Sequence, residues 1–589
     1  MIPVNLPASC CPHRTAGGGT GQAPERNTSA SPECSHGYRV PSRVSAARSH
    51  ACFSNCPERK STVKNHTPFD LHAAKLLNEA TADDLGQSTP SVYETARLVS
   101  DAPWLEGHSR RVRFLCERQN PDGTWGTAEH GLLQTLSAAE ALLTVLARGD
   151  DVHVPRPQLV NTTALAVTRL SHSLGNHQCP PTLPDTVAVE LIVPALIDRI
   201  HQHLGRCARS RPPFLLPWAS SILLARPKGC LPSVLAELRA AVYQGEPLPE
   251  KLWHTWEILA PATEHPDRHI RPYEGAVSCS PAATAAWLGR PHDSERRQAG
   301  LRYLHRIQSR YGGPVPVAAP ITTFERAWIA GLFAHHGVPH TPPPALLAGL
   351  RDALGEAGAP GSPGLPPDAD DTAAVLYALL HHGDHIRPDS LMPYFTDDHF
   401  CCYPEERSPS SSTNAHALEA LVLYVARHPA DRGRYRSVIR RTIDWLLAQQ
   451  HPDGSWSDKW HASPYYATAC CVRALAAFAG PVAHPALARA SAWALATRLP
   501  GGRWGHGANG TVEETAYAVW ILLGRTPQTG AARQALTSAR RILQAECVTD
   551  NIPALWHDKD VYAPLRILRA TRLAALHTLY HLPRRRPAS

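Results

Sequence analysis

Three carboxylates fall within four residues at Asp368-Ala369-Asp370-Asp371, directly ahead of the apolar run Thr372-Ala373-Ala374-Val375-Leu376-Tyr377-Ala378-Leu379-Leu380. Like charges this close do not all ionise cheaply, so at least one of these aspartates is expected to have a raised pKa and to keep its proton. A carboxylic acid held protonated against an apolar surface is suited to giving that proton to a greasy substrate. The same residues have two plainer uses. Aspartate is a favoured helix N-cap and acidic side chains suit a first turn, so a helix is expected to begin here, just after Pro366-Pro367. A D-x-D-D cluster also offers oxygen ligands to a divalent ion.

Positioning such a group takes a scaffold, and 589 residues are enough for two or more domains with a large core. From Pro68 onward, Ala/Leu-rich stretches of about a dozen residues alternate with Pro/Gly/Asp loops. The pattern predicts helices over 137–148, 187–203, 415–427, 468–479 and 516–523, without strand alternation, which is an all-α signature. A loose repeat runs through it. Gln119 leads to Asp122-Gly123-Thr124-Trp125, and Gln450 leads to Asp453-Gly454-Ser455-Trp456. In a third copy, with Gln308 and Gly312, Pro314 takes the tryptophan's place, and a worn copy sits at Gly501–Gly505. A helix ending in Gln, a tight Asp-Gly turn and a Trp folded back on the helix make a staple between successive helix pairs. These residues are therefore expected to be scaffold.

Formal charge is +8, but residues 1–66 carry eight cations against three glutamates, a net +5, and Arg584-Arg585-Arg586 supplies the rest. The segment between is formally neutral, which argues against a nucleic-acid footprint on it. Fifteen cysteines show no framework: Cys10, Cys11, Cys34, Cys52 and Cys56 lie in the first 66 residues, and the others read as buried thiols. Paired C-x2-C and H-x3-H spacing for zinc is missing. The longest apolar stretch, near residues 215–225, is too short to span a membrane. Residues 1–66, rich in Pro, Ser, Gly, Cys and His, are expected to be a disordered or over-extended leader, with some likeness to a transit peptide. A cytoplasmic location is expected.

Asp368–Ala373 together with the Q-x3-G-x-W repeats resembles the class II terpene cyclases, and within them the bacterial diterpene cyclases of the copalyl diphosphate synthase type. The resemblance covers about residues 68–580 and also rests on Ser91–Ala96, Leu248–His254, Cys279–Trp287, Gly312–Pro316, Phe324–Trp328, Thr413–His416, Asp458–Tyr466, Glu513–Tyr517 and Lys559–Tyr562. It implies two α-barrel domains, γ over 89–305 and β over 306–582, with a helix in 67–88 belonging to the β domain and 583–589 left as a basic tail. The active site would lie between the barrels. Asp370 would be the general acid that protonates the terminal alkene of geranylgeranyl diphosphate, with Asp368 and Asp371 tuning it. A base would later remove a proton and leave the diphosphate in place. Such chemistry demands a strong, desolvated acid and aromatic faces for the cation.

Further roles implied by the resemblance are a hydrogen bond from Asn414 to the acid, or an N-cap in its place, and a proton relay at His416. Trp287, Trp328, Trp460, Tyr465 and Tyr466 are candidate cation-lining aromatics. Lys251, Arg326, Lys459 and Lys559 are candidate diphosphate ligands, Arg326 equally a structural ion pair. Mg2+ would assist diphosphate binding through carboxylates that the sequence does not single out. Asp83-Asp84-Leu85-Gly86-Gln87 and Asp397-Asp398-His399-Phe400-Cys401 fail the D-D-x-x-D pattern of diphosphate ionisation, so the product is expected to pass, diphosphate intact, to a class I terpene synthase. Halimadienyl, kolavenyl and drimenyl-type cyclisation remain alternatives, as do a zinc-dependent prenyltransferase-like toroid and a non-catalytic helical toroid whose aspartates are caps.

Overall fold

Helices in this protein start where the sequence offers a cap. Ser91, Ser280, Asp368, Ser410 and Thr511 each accept a hydrogen bond from the backbone N–H three residues on, and so begin Val92–Asp101, Pro281–Leu288, Ala369–His381, Ser411–Arg427 and Val512–Leu523. The predicted helices are present, and several begin a few residues earlier than the apolar pattern alone suggests because the cap, rather than the first leucine, sets the boundary. The computed structural model describes residues 68–582 apart from 128–129, 176–182, 211–221, 261–265, 290–294, 479, 506, 508, 526 and 550–551. The expected leader and the basic tail lie outside the described residues.

Six helices close a ring in the C-terminal half: Thr322–His335, Ala369–His381, Ser411–Arg427, Pro464–Phe478, Val512–Leu523 and Leu565–Tyr580 each pack on the next, and the last returns to the first. Shorter helices lie outside this ring, among them Pro344–Ala353, Arg432–Ala448, His484–Ala496 and Gly530–Ala545. Pro68–Ala82 packs against Thr322–His335 and Leu565–Tyr580, so the start of the described chain belongs to the far ring, as the resemblance implies. A second, smaller ring is formed by Val92–Asp101, Gly131–Arg148, Val189–Ser210, Trp256–Leu259 and Pro281–Leu288. No helix among the described residues is long and apolar enough to cross a membrane.

The repeats are the staples that their spacing predicts. The indole N–H groups of Trp125 and Trp456 each donate, at 2.8 Å, to the carbonyl ten residues back, Leu115 and Leu446. Gln119 and Gln450 each donate at 2.9 Å to a carbonyl of a neighbouring helix, Thr162 and Ala486. Gly123 and Gly454 sit at φ +87° and +102° with another helix's backbone where a Cβ would stand. In the degenerate copy, Gln308 instead accepts from the Arg111 guanidinium at 2.7 Å. Trp456→Phe is expected to lower stability by about 1–2 kcal/mol, from the Leu446 carbonyl left unpaired and the volume lost. Thermal unfolding checks this, and an unchanged midpoint would count against the staple.

One short hairpin breaks the all-α pattern. Trp556–His557 pairs antiparallel with Val561–Tyr562, and its tip enters the smaller ring. There Lys559 Nζ, fully buried, meets Glu94 at 2.5 Å, the Ser280 hydroxyl at 2.8 Å, Glu257 at 3.1 Å and the His254 carbonyl at 2.7 Å. Asp560 accepts from Ser91, the Tyr93 N–H and Gln134. The hairpin thus joins the two rings through buried polar contacts.

Candidate active site

Asp368 caps its helix, and in doing so it presents the other two aspartates. Its Oδ1 accepts from the Asp371 N–H at 2.8 Å, its Oδ2 accepts from the Tyr403 hydroxyl at 3.0 Å, and its own backbone bridges to Ala359. Burial pushes Asp368 up to about 6. Burial, followed by the charges of Asp368 and Asp370, pushes Asp371 well above the carboxylate range, so it keeps its proton beside Asp368. Asp371 is wedged against Gly361, where a Cβ would lie 2.6 Å from its Oδ2. The capping and acid readings therefore hold together: one residue caps, and the pair shares a proton.

Asp370 has a different partner. His416 Nδ1 lies 2.7 Å from Asp370 Oδ1. Burial opposes charge on this imidazole, but the Asp370 carboxylate outweighs it and raises the His416 pKa well above its ordinary value. A carboxyl oxygen accepts here, so Nδ1–H is the donor, and Asp370 lines a cavity of about 200 Å3 whose wall also includes Asp368 and Asp371. Trp328, Phe324, Tyr403, Trp460, Tyr466 and Trp556 contribute aromatic surface to that wall. Trp328 stands edge-on to His416 with ring centres 5.3 Å apart. Another part of the wall comes from the segments of the smaller ring and from the hairpin, including Lys251, His254, Ser278, His557 and Asp558. An acid, π-faces and a cationic group thus share one cavity, which suits generating and holding a carbocation.

Several sequence candidates lie elsewhere, for identifiable reasons. Asn414 hydrogen-bonds the Phe400 N–H at 2.7 Å and the Phe400 and Ser410 carbonyls at 2.9 Å. It neither touches the acid nor caps the helix, a position that Ser410 holds; it fixes the loop that leads to Tyr403. His416, read as a relay for the last proton, is committed to Asp370. Trp287 donates to Asp267 at 3.0 Å and Tyr465 to Thr497 at 2.8 Å, both outside the cavity wall. Of the four cations, Arg326 caps the Ala80, Thr81 and Asp83 carbonyls. Lys459 is buried against Glu406 at 2.5 Å, and Lys559 is the pin described above. Only Lys251 both lines the cavity and has no ion-pair partner among the described residues. Trp328, Trp460 and Tyr466 line the cavity as expected.

The family description of the squalene-hopene cyclase C-terminal domain matches residues 407–560. An ent-copalyl diphosphate synthase of Streptomyces sp. (strain KO-3988) is 43% identical over 508 residues, which cover 86% of this chain and 95% of that one. A labda-7,13-dienyl diphosphate synthase of Streptomyces clavuligerus is 39% identical over 522 residues, covering 88% and 93%. The solved ent-copalyl diphosphate synthase from Streptomyces platensis superposes with a TM-score of 0.82 at 46% identity, covering 87% of this chain and 99% of that one. This chain belongs to the class II diterpene cyclases.

Sequence reading of the cyclase missed Tyr403, which no motif marks. It reaches Asp368 because the Ala369 N–H pairs with the Cys402 carbonyl at 3.0 Å. That reading gave no role to His254, which closes the matching segment Leu248–His254, or to Asp558. The His254 ring is held from both sides, Nδ1 on the Ser278 carbonyl at 2.7 Å and Nε2 on Asp558 at 2.8 Å. Burial opposes its charge, and Asp558 raises its pKa nonetheless.

Proposed function

We propose that this cyclase converts geranylgeranyl diphosphate to a bicyclic, copalyl-type diphosphate, with Asp370 as proton donor. The observation that carries this reading is the pairing of Asp370 with an imidazole at 2.7 Å beside an aromatic-walled cavity. An alkene is a very weak base, so its protonation needs an acid whose conjugate base is stabilised at the moment of transfer. His416 supplies that: as Asp370 Oδ2 gives up its proton, Oδ1 already accepts from a ring that prefers to be charged. Asp368 and Asp371, one proton between them, add less negative charge than two free carboxylates would. The cation then closes two rings against Trp328, Phe324, Tyr466 and Trp556, and water is kept away by the same apolar surface.

Lys251 is proposed to bind the diphosphate. Magnesium is proposed to accompany it and to offset its charge. Among the described residues no group of three or more His, Cys, Asp or Glu could hold a metal. A closed protein cage is therefore not the expected mode. Glu250, exposed beside Lys251 on the cavity wall, is a hard oxygen donor of the kind that suits an ion retaining phosphate and water ligands. The two rings would be the γ and β domains, the smaller inserted after the helix Pro68–Ala82. The intact diphosphate would pass to a class I terpene synthase, in the cytoplasm. Support for a labdane-type product comes from the names of the relatives, and they differ in product at nearly equal identity.

Incubation with geranylgeranyl diphosphate and magnesium, dephosphorylation and product analysis tests the reading, and recovery of unchanged geranylgeraniol would reject it. Turnover carries a sign for pH. Carboxyl groups with raised pKa values hold their protons below those values, so single-turnover product formation is expected to be highest on the acid side. It should fall as pH rises through a region that begins near 6, where Asp368 titrates. A rate that climbs steadily from pH 6 to 9 would contradict the shared-proton arrangement.

A further inference from the structure

We propose that His557 is the base that takes the last proton from the cyclised cation, an inference that rests on the cyclase reading above. Its Nδ1 lies 2.7 Å from the Lys459 carbonyl, an oxygen that only accepts, so the ring's N–H is on Nδ1. Burial, aided by the neighbouring His130 and His461, holds its pKa down to about 3, and the ring is neutral. Nε2 then carries a lone pair. That atom is buried and has no hydrogen-bond partner among the described residues. A bare buried nitrogen is costly and calls for a reason.

The location supplies one. His557 forms the cavity wall together with Trp460, Asp558 and Tyr562. The other imidazoles at the site are spoken for: His416 by Asp370, and His254 at both nitrogens. The Tyr403 hydroxyl donates to Asp368. Low basicity is an advantage here, because a C–H beside a cationic carbon is acidic enough for a weak base. A ring that stays unprotonated until the cation arrives is ready for it. In the step, the C–H bond next to the cationic carbon breaks and its electron pair becomes the new C=C. The proton goes to Nε2, and the positive charge moves from carbon to imidazolium. The ring returns its proton to water once the product has left, which its low pKa favours.

His557→Asn is the informative variant, since its amide keeps a donor for the Lys459 carbonyl and removes only Nε2; His557→Ala, which opens room for water, is its companion. Full-length variants are incubated with geranylgeranyl diphosphate and magnesium, and dephosphorylated products are compared. The native bicyclic alkene should fall at least 10-fold relative to hydroxylated and isomeric bicycles, which appear in its place as water or another C–H ends the reaction. An unchanged product profile in either folded variant overturns the proposal, as does complete loss of substrate consumption in both. Failure of the cyclase reading looks different, because the wild-type protein would then consume no substrate.

Discussion

Asp370→Asn is expected to lower product formation at least about 10^3-fold while shifting the melting midpoint by no more than about 2 °C. The amide has nearly the shape of the acid and its oxygen still accepts from His416 Nδ1, so the local hydrogen bond survives. What is lost is a proton acidic enough for an alkene, and no group nearby replaces it: Asp368 is tied to Tyr403 and the Asp371 N–H, and Asp371 is wedged against Gly361. Steady-state turnover with thermal unfolding on the same sample separates the two effects. Residual activity within 10-fold of wild type would move the acid role to another residue of the triplet. His416→Phe should be milder, because the acid itself remains and loses only the partner that stabilises its anion. Its expected signature is a lower turnover number with little change in KM.

The difference between what the sequence disclosed and what it hid follows from distance along the chain. Asp368 to Thr372 is a local problem: the cap, the first turn and the crowding of charge all lie within one helical turn, and spacing conveys them. The Trp125 and Trp456 staples are local in the same sense, since each indole reaches back only ten residues. Lys459 and Lys559 are not local. A lysine beside aromatic residues looks the same in one dimension whether it faces a ligand or a buried glutamate. Glu406 and the pair Glu94 and Glu257 come from segments whose approach is set by ring closure. Asn414 misled for a related reason. The helix brings His416, two positions later, toward Asp370 and turns Asn414 onto Phe400, a rotation that neighbouring letters do not show.

Lys559 gives the largest expected effect on the fold. Lys559→Met removes the one cation that pairs with Glu94 and Glu257 among the described residues, in a buried site, and stranding buried carboxylates costs about 3–5 kcal/mol. Burial already pushes Glu94 up to about 7 despite the lysine, so even with the cation present its ionisation is costly. Burial opposes charge on Lys559 as well, yet Glu257 and Glu94 hold its pKa above the ordinary value, and the cluster depends on that cation. Activity should fall with the fold, for Lys559 Nζ also holds the His254 carbonyl and with it the turn Glu250–Thr255 that brings Lys251 to the cavity. The triple variant Lys559→Met, Glu94→Gln, Glu257→Gln should recover much of the lost midpoint, since neutral amides need no counter-ion. A Lys559→Met protein that melts like wild type and shows only a raised KM would instead return this lysine to the diphosphate site.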